Sequence, residues 1–162
     1  TSTNNMAKLE GTKWIVENVE GQTDIVIEIT ETKQSVFISK IKDSMVTVKG
    51  KCSAIAIAAA TGSGVVFDDV VATVEIINGK KVQVQANGAL NQISIDKTEG
   101  ATVYLQTPAS QSAEIVTSLT SEINIVLPGA TEEDDMVEHA VPEQFVSKFV
   151  DGKLITEASS HV

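Results

Sequence analysis

Arginine is missing altogether: the 162 residues carry 12 cations, all lysine, against 22 carboxylates, for a formal charge of −10. Arginine supplies the planar fork that grips phosphates and guanine edges, so its absence from an acidic chain argues against a nucleic-acid surface and an anionic membrane alike. A single cysteine, Cys52, excludes an intrachain disulfide and a cysteine zinc site. It fits a reducing intracellular compartment, with Cys52 as a small apolar filler between two strands. Aromatics are few, one Trp, one Tyr and four Phe, which speaks against the stacking platforms of sugar-processing enzymes. No apolar run approaches the roughly 18 residues of a membrane span, and no basic-then-apolar signal segment opens the chain. Leucine occurs only six times, too rarely for a helical bundle of this size.

What is abundant is β-branched: 53 of the 162 residues are Val, Ile or Thr, a strand composition. Apolar pairs one residue apart recur down the chain: Ile25/Ile27, Val36/Ile38, Val46/Val48, Ile55/Ile57, Val65/Phe67, Val74/Ile76, Val82/Val84, Ile93/Ile95, Val103/Leu105, Ala113/Ile115 and Ile123/Ile125. Consecutive pairs start about ten residues apart, and turn formers such as Asn78-Gly79, Asn87-Gly88 and Thr61-Gly62-Ser63-Gly64 lie between them. Each pair reads as a very short strand with two inward side chains. An antiparallel sandwich or barrel also shows such spacing, but the regular two-residue pairs favour an all-β parallel β-helix of about six short coils, two strands per coil and about twenty residues per coil. In that register Val46, Val65, Val82, Val103 and Ile123 form one inward column, and Val36, Ile55, Val74 and Ile93 the facing one.

The chain divides accordingly. Residues 1–8 read as a linker or remnant and 9–127 as the β-helix. Residues 128–136 form an acidic linker containing the run Glu132 to Asp135, and 137–162 a C-terminal hairpin and tail that must add to an exposed edge, of its own solenoid or of a second subunit. The hairpin is expected from Val137 to Val141 and Lys153 to Thr156, with Pro142 breaking the first strand and Asp151-Gly152 turning into the last.

Catalytic patterns are lacking. None of Gly50-Lys51, Gly79-Lys80 and Gly152-Lys153 continues as a phosphate loop, Gly62-Ser63-Gly64 lacks nucleophile-elbow spacing, and the two histidines, His139 and His161, fall in the irregular tail. Asp68-Asp69 is the best pair for acid/base or calcium chemistry, against the plainer reading of a turn after the Val65 to Phe67 strand. No cofactor and no metal is expected, and the chain reads as a non-enzyme. A structural interaction solenoid and a carbohydrate-active β-helix enzyme are the alternatives.

Many separate motifs agree, in order, with one family. Lys13-Trp14 with Glu17-Asn18, Val48-Lys49-Gly50-Lys51, Val66 to Val71 and Val74 to Asn78 resemble the C-terminal domain of cyclase-associated proteins. So do Ile93 to Gly100, Tyr104-Leu105, Glu114 to Val116, Ser121-Glu122 and Val141 to Phe145, so the likeness runs from about Leu9 to Thr156. The resemblance implies a right-handed parallel β-helix that dimerises by exchanging its C-terminal hairpin. It further implies that the domain binds monomeric actin, preferring the ADP form, and promotes nucleotide exchange and subunit recycling in the cytoplasm with the actin cytoskeleton. The family's cyclase-binding segment has no counterpart in these residues, so adenylate cyclase binding is not carried over, and Glu157 to Val162 departs from the family's usual ending. For actin, the register puts Glu75, Ser94, Asp96 and Glu114 outward on one sheet with Lys97 at its border. Lys49, Asp68, Gln85, Tyr104 and Asn124 form the alternative face, and ordinary solvated surface competes with both. The expected dimer contacts are Val137, Glu138, Val141, Pro142, Phe145, Phe149, Lys153, Leu154, Ile155 and Thr156.

Overall fold

The structure is a computed structural model that describes residues 6–159; Thr1 to Asn5, His161 and the end of the divergent tail lie outside the described residues. The strands are β1 (Lys8–Glu10), β2 (Lys13–Glu20), β3 (Ile25–Glu28), β4 (Ser35–Lys42), β5 (Met45–Lys49), β6 (Ile55–Ala58), β7 (Gly64–Phe67), β8 (Thr73–Ile77) and β9 (Lys80–Ala86). They continue as β10 (Gln92–Asp96), β11 (Glu99–Leu105), a single-turn helix α1 (Pro108–Gln111), β12 (Glu114–Ser118), β13 (Ser121–Leu127), β14 (Val137–Ala140), β15 (Phe145–Val150) and β16 (Lys153–Ala158). Alternate strands stack into two facing sheets, β1-β2-β4-β6-β8-β10-β12 and β14-β13-β11-β9-β7-β5-β3. All pairings from β2 to β13 are parallel, so the chain winds as a β-solenoid of about six coils.

Val and Ile side chains stack coil on coil. The row Val36–Ile55–Val74–Ile93 advances by 19 residues at each step, as expected. The facing row is Ile25–Val46–Val65–Val84–Val103–Ile125. Val82 and Ile123 therefore leave the column assigned to them and stack with Ala101 in a row of their own. The reason is strand length: β9, β11 and β13 have seven residues against four in β7, so the first apolar residue of each starts one inward position earlier. All of these inward residues are 7% exposed or less and form one continuous core. Each contributes about 1.5–3 kcal/mol by leaving water.

The corner leading from the first sheet to the second is tight and has its own ladder. Asn18, Lys40, Ala59, Asn78, Lys97 and Leu119 adopt left-handed φ of 49° to 57°, one per coil. Three residues later Gly21, Asp43, Gly62, Lys81, Gly100 and Glu122 are left-handed as well, with φ of 47° to 84°. None of these twelve positions holds Val, Ile or Thr, the commonest residues of the chain, because a β-branched side chain clashes with the backbone there. Beside these positions, buried hydroxyls tie coil to coil. The Gln22, Ser44 and Gly79 N–H groups donate to Ser44 Oγ, Ser63 Oγ and Thr98 Oγ1 at 3.0 to 3.2 Å. Each hydroxyl in turn donates to the carbonyl two residues before it, on Lys42, Thr61 or Asp96. Buried polar groups are thereby satisfied without breaking the apolar stack.

The ends differ from the expected plan. At the first coil, β1 folds back antiparallel on β2 with Leu9 opposite Trp14, so residues 8–10 belong to the fold. Trp14 Nε1 donates to Gln34 Oε1 at 3.0 Å, which also accepts the Thr30 N–H. At the last coil, β14 pairs antiparallel with β13 of its own chain, not with Lys153 to Thr156. The hairpin is instead β15 with β16, Phe149 opposite Leu154. Asp151 and Gly152 both have positive φ, 51° and 80°, which suits a two-residue hairpin turn, and such a turn joins the strand immediately before it to the one after. The acidic stretch is a compact turn rather than an extended link: Thr131 N–H donates to Asp134 Oδ2 and Asp134 N–H to Thr131 O.

Candidate interaction face

The first sheet presents a flat outer surface whose rows follow directly from the register. One row runs Ile15–Phe37–Ala56–Glu75–Ser94–Val116 and the next Glu17–Ser39–Ala58–Ile77–Asp96–Ser118, with neighbouring strands about 4.8 Å apart. Glu75 and Ser94 are thus direct neighbours, and Asp96 lies two positions further along β10. Glu114 stands opposite Gln92 on the last strand, and Lys97 projects from the tight corner in its left-handed conformation. The expected set therefore shares one face, spread over three strands and a corner.

Sequence reasoning missed the apolar members of that face. Phe37 and Ile77 are half-buried, Val116 is 44% exposed, and the Lys13 ammonium lies 5.9 Å from the centre of the Phe37 ring. β6 offers only Ala56 and Ala58 outward, so a groove of about 280 Å³ opens between Phe37, Lys13, Thr73 and Glu75. The alternating outward positions carry this signal, but an outward Phe or Val has the same composition signature as a core residue. Carboxylates prevail over lysines, and the arrangement suits an apolar knob with basic neighbours on a partner.

The second set is less coherent. Gln85 and Tyr104 are neighbours in the row Val26–Thr47–Val66–Gln85–Tyr104–Val126. Asn124 sits one row away, opposite Ala140 of β14, and Lys49 pairs with Glu28 at the far strand. Asp68 is a turn residue: its Oδ2 accepts the Gly50 N–H at 2.9 Å, while Asp69 Oδ1 accepts the Ala89 N–H at 2.8 Å. Each carboxylate of the pair holds an amide of a neighbouring coil, the plainer reading of Asp68-Asp69. Among the described residues no cluster of three or more His, Cys, Asp and Glu is placed to hold a metal. Cys52 is fully buried and its thiol is pushed up to about 11 by desolvation. His139 lies exposed on β14, a strand rather than an irregular tail.

The expected dimer residues form the remaining exposed region. Val137 and Glu138 lie exposed on β14, Val141 is half-buried with its N–H on Ile123 O at 2.8 Å, and Pro142 follows exposed. Within one chain Phe145, Phe149 and Leu154 are 55%, 76% and 60% exposed, and Lys153, Ile155 and Thr156 share their open hairpin. In the same last coil β12 is an edge strand of the first sheet, with Ile115, Val116 and the following Leu119 exposed.

The sequence matches the family described as adenylate cyclase associated (CAP) C terminal over residues 3–161. The chain belongs to the cyclase-associated protein family. It is 45% identical over 151 residues to cyclase-associated protein 1 of Arabidopsis thaliana, covering 93% of this chain and 32% of that protein. It is 38% identical to the adenylyl cyclase-associated protein of Dictyostelium discoideum over 95% of this chain and 33% of the relative. Against human adenylyl cyclase-associated protein 1 it is 45% identical, over 92% of this chain and 31% of the relative. The chain thus spans about a third of the length of these relatives. Its fold superimposes on the crystal structure of cyclase-associated protein from Cryptosporidium parvum with a TM-score of 0.88, at 28% identity and 98% coverage of both chains. No helix among the described residues is long and apolar enough to cross a membrane.

Proposed function

We propose that this chain is a dimeric module that binds monomeric actin, with preference for its ADP form, and promotes nucleotide exchange and return of subunits to filament assembly. Its setting is the cytoplasm and the actin cytoskeleton. Membership of the cyclase-associated protein family carries the reading, and the outer face of the first sheet supports it: a rigid parallel sheet presents Glu75, Ser94 and Asp96 with Phe37, Ile77 and Val116 among them. Such a face binds without chemistry of its own. Exchange is accelerated only if it binds more tightly to the actin conformation that holds nucleotide loosely, since a ligand shifts an equilibrium by its differential affinity. Actin is acidic, as is this chain, so attachment rests on local contacts, with Lys97 and Lys13 flanking the face, and not on long-range steering.

The dimer completes the fold. A two-stranded hairpin with three large apolar side chains in water is not stable alone, and β12 leaves unpaired backbone groups at the open edge of the last coil. The hairpin β15–β16 of one chain laid along β12 of a second answers both needs, with a two-fold axis between them. The test of the binding face is a titration of fluorescent ADP-actin monomers with the chain and with a Glu75→Ala, Ser94→Ala, Lys97→Ala triple variant. Weaker binding at unchanged melting temperature supports this face; unchanged affinity moves the site to the sheet bearing Gln85 and Tyr104.

A further inference from the structure

The two Asn-Gly dipeptides, Asn78-Gly79 and Asn87-Gly88, are treated oppositely by the fold. Asparagine before glycine is the most labile form of a thermolabile residue, because nothing shields the glycine nitrogen from the preceding side-chain carbonyl. At the tight corner that attack is blocked. Gly79 is buried, its N–H donates to Thr98 Oγ1 at 3.2 Å, and the methyls of Ile76, Val82 and Thr98 close around it. Asn78 is fixed at φ 55°, with its own N–H on Asp96 O at 3.1 Å.

Asn87-Gly88 lies at the corner leading from the second sheet back to the first; the Asn87 N–H is held there too, on Phe67 O at 2.9 Å, but the glycine nitrogen is not. Asn87 is exposed, and the Gly88 N–H has no hydrogen-bond partner among the described residues. Gln85 Nε2 donates to Asn87 Oδ1 at 3.0 Å, which draws electron density from the side-chain carbonyl carbon and fixes the carboxamide in place. Glycine cannot be exchanged at position 88: a Cβ there would collide with the Asp69 carboxylate and the Asp68 backbone. The packing therefore retains a reactive dipeptide.

We propose that Asn87 is a deamidation site of the folded protein, polarised by Gln85. The Gly88 nitrogen gives its proton to hydroxide and attacks Asn87 Cγ. The C–N bond to the side-chain amide breaks and ammonia leaves, closing a succinimide ring. Water at the side-chain carbonyl breaks the Cγ–N bond and gives aspartate; water at the main-chain carbonyl breaks the backbone C–N bond and leaves a β-linked isoaspartate with a free α-carboxylate. The net change is carboxamide plus water to carboxylate plus ammonium, one more negative charge beside Asp68 and Asp69. The isoaspartate, with an additional methylene in the main chain of the corner, is a substrate for methyl transfer from a sulfonium donor to its free α-carboxylate.

The experiment ages the intact folded chain in mildly alkaline buffer and follows both sites by peptide mass spectrometry. Cleavage after lysine places Asn78 and Asn87 on separate peptides, residues 52–80 and 82–97. In the native chain Asn87 converts at least about tenfold faster than Asn78, a barrier difference of about 1.4 kcal/mol. In denaturant the two rates converge. An isoaspartate-specific methyltransferase labels peptide 82–97 of aged protein, and Gln85→Leu, checked for unchanged melting, slows conversion of Asn87 severalfold. Equal native rates at the two sites, or an Asn87 rate untouched by Gln85→Leu, overturns the proposal.

Discussion

Ile93 and Ile115 occupy the same inward position on adjacent strands β10 and β12, yet Ile93 is fully buried and Ile115 is 36% exposed. The difference is a missing coil: Ile93 is covered on both sides by neighbouring strands, while beyond β12 the first sheet has no further strand. Truncating the two gives unequal penalties. Ile93→Ala is expected to cost about 2–5 kcal/mol, the range for a large-to-small change in a packed core. Ile115→Ala in the isolated protomer costs well under that. Denaturant midpoints of the two variants check the contrast, and equal losses would contradict it.

Ala59 holds a left-handed position between Lys40 and Asn78. Replacing it with valine adds a branched Cβ where even an unbranched residue is strained by roughly 1–2 kcal/mol. The Ala59→Val variant therefore melts lower, whereas Ala58→Val, one residue earlier on an extended strand, does not. Thermal unfolding of the pair distinguishes corner strain from a general effect of valine.

Cys52 sets a pH dependence. Burial raises its folded pKa from 9.0 to about 11, so between these values the unfolded chain loses the thiol proton while the folded chain keeps it. The unfolding free energy falls with pH across that window and the contribution is intact below it. Cys52→Ala removes that part of the slope, as seen in denaturation curves taken on both sides of pH 9. In the native protein at neutral pH, thiol reagents react with Cys52 only as fast as the chain opens.

The proposed dimer makes association depend on the hairpin β15–β16. A Phe149→Asp, Leu154→Asp variant is expected to sediment as a monomer at micromolar concentration, with the solenoid's strand signature in circular dichroism retained. The unaltered chain sediments as a dimer. A monomeric unaltered chain would remove the hairpin from any interface.

The coils were legible because burial on one face of a strand imposes a two-residue alternation that survives in any order of Val and Ile. The row Val36–Ile55–Val74–Ile93 came out correctly for that reason. Val82 was misassigned since two consecutive inward residues are equivalent by alternation, and only strand length, set by the corner, decides between Val82 and Val84. The left-handed columns were hidden because their occupants share no chemistry: Lys40, Ala59, Asn78 and Leu119 have in common only that they are not β-branched. The face residues Glu75, Ser94 and Asp96 followed from alternation, while Phe37 and Val116 did not, because an outward apolar residue looks like a core residue until the register is known.

The central claim is tested most directly by the rate at which monomeric ADP-actin releases a fluorescent nucleotide with and without this chain. The account predicts that the chain raises the rate, that the effect saturates with concentration, and that the Glu75, Ser94, Lys97 triple-alanine variant loses much of it. Binding without any change in the release rate, or no binding to monomeric actin at all, would contradict it.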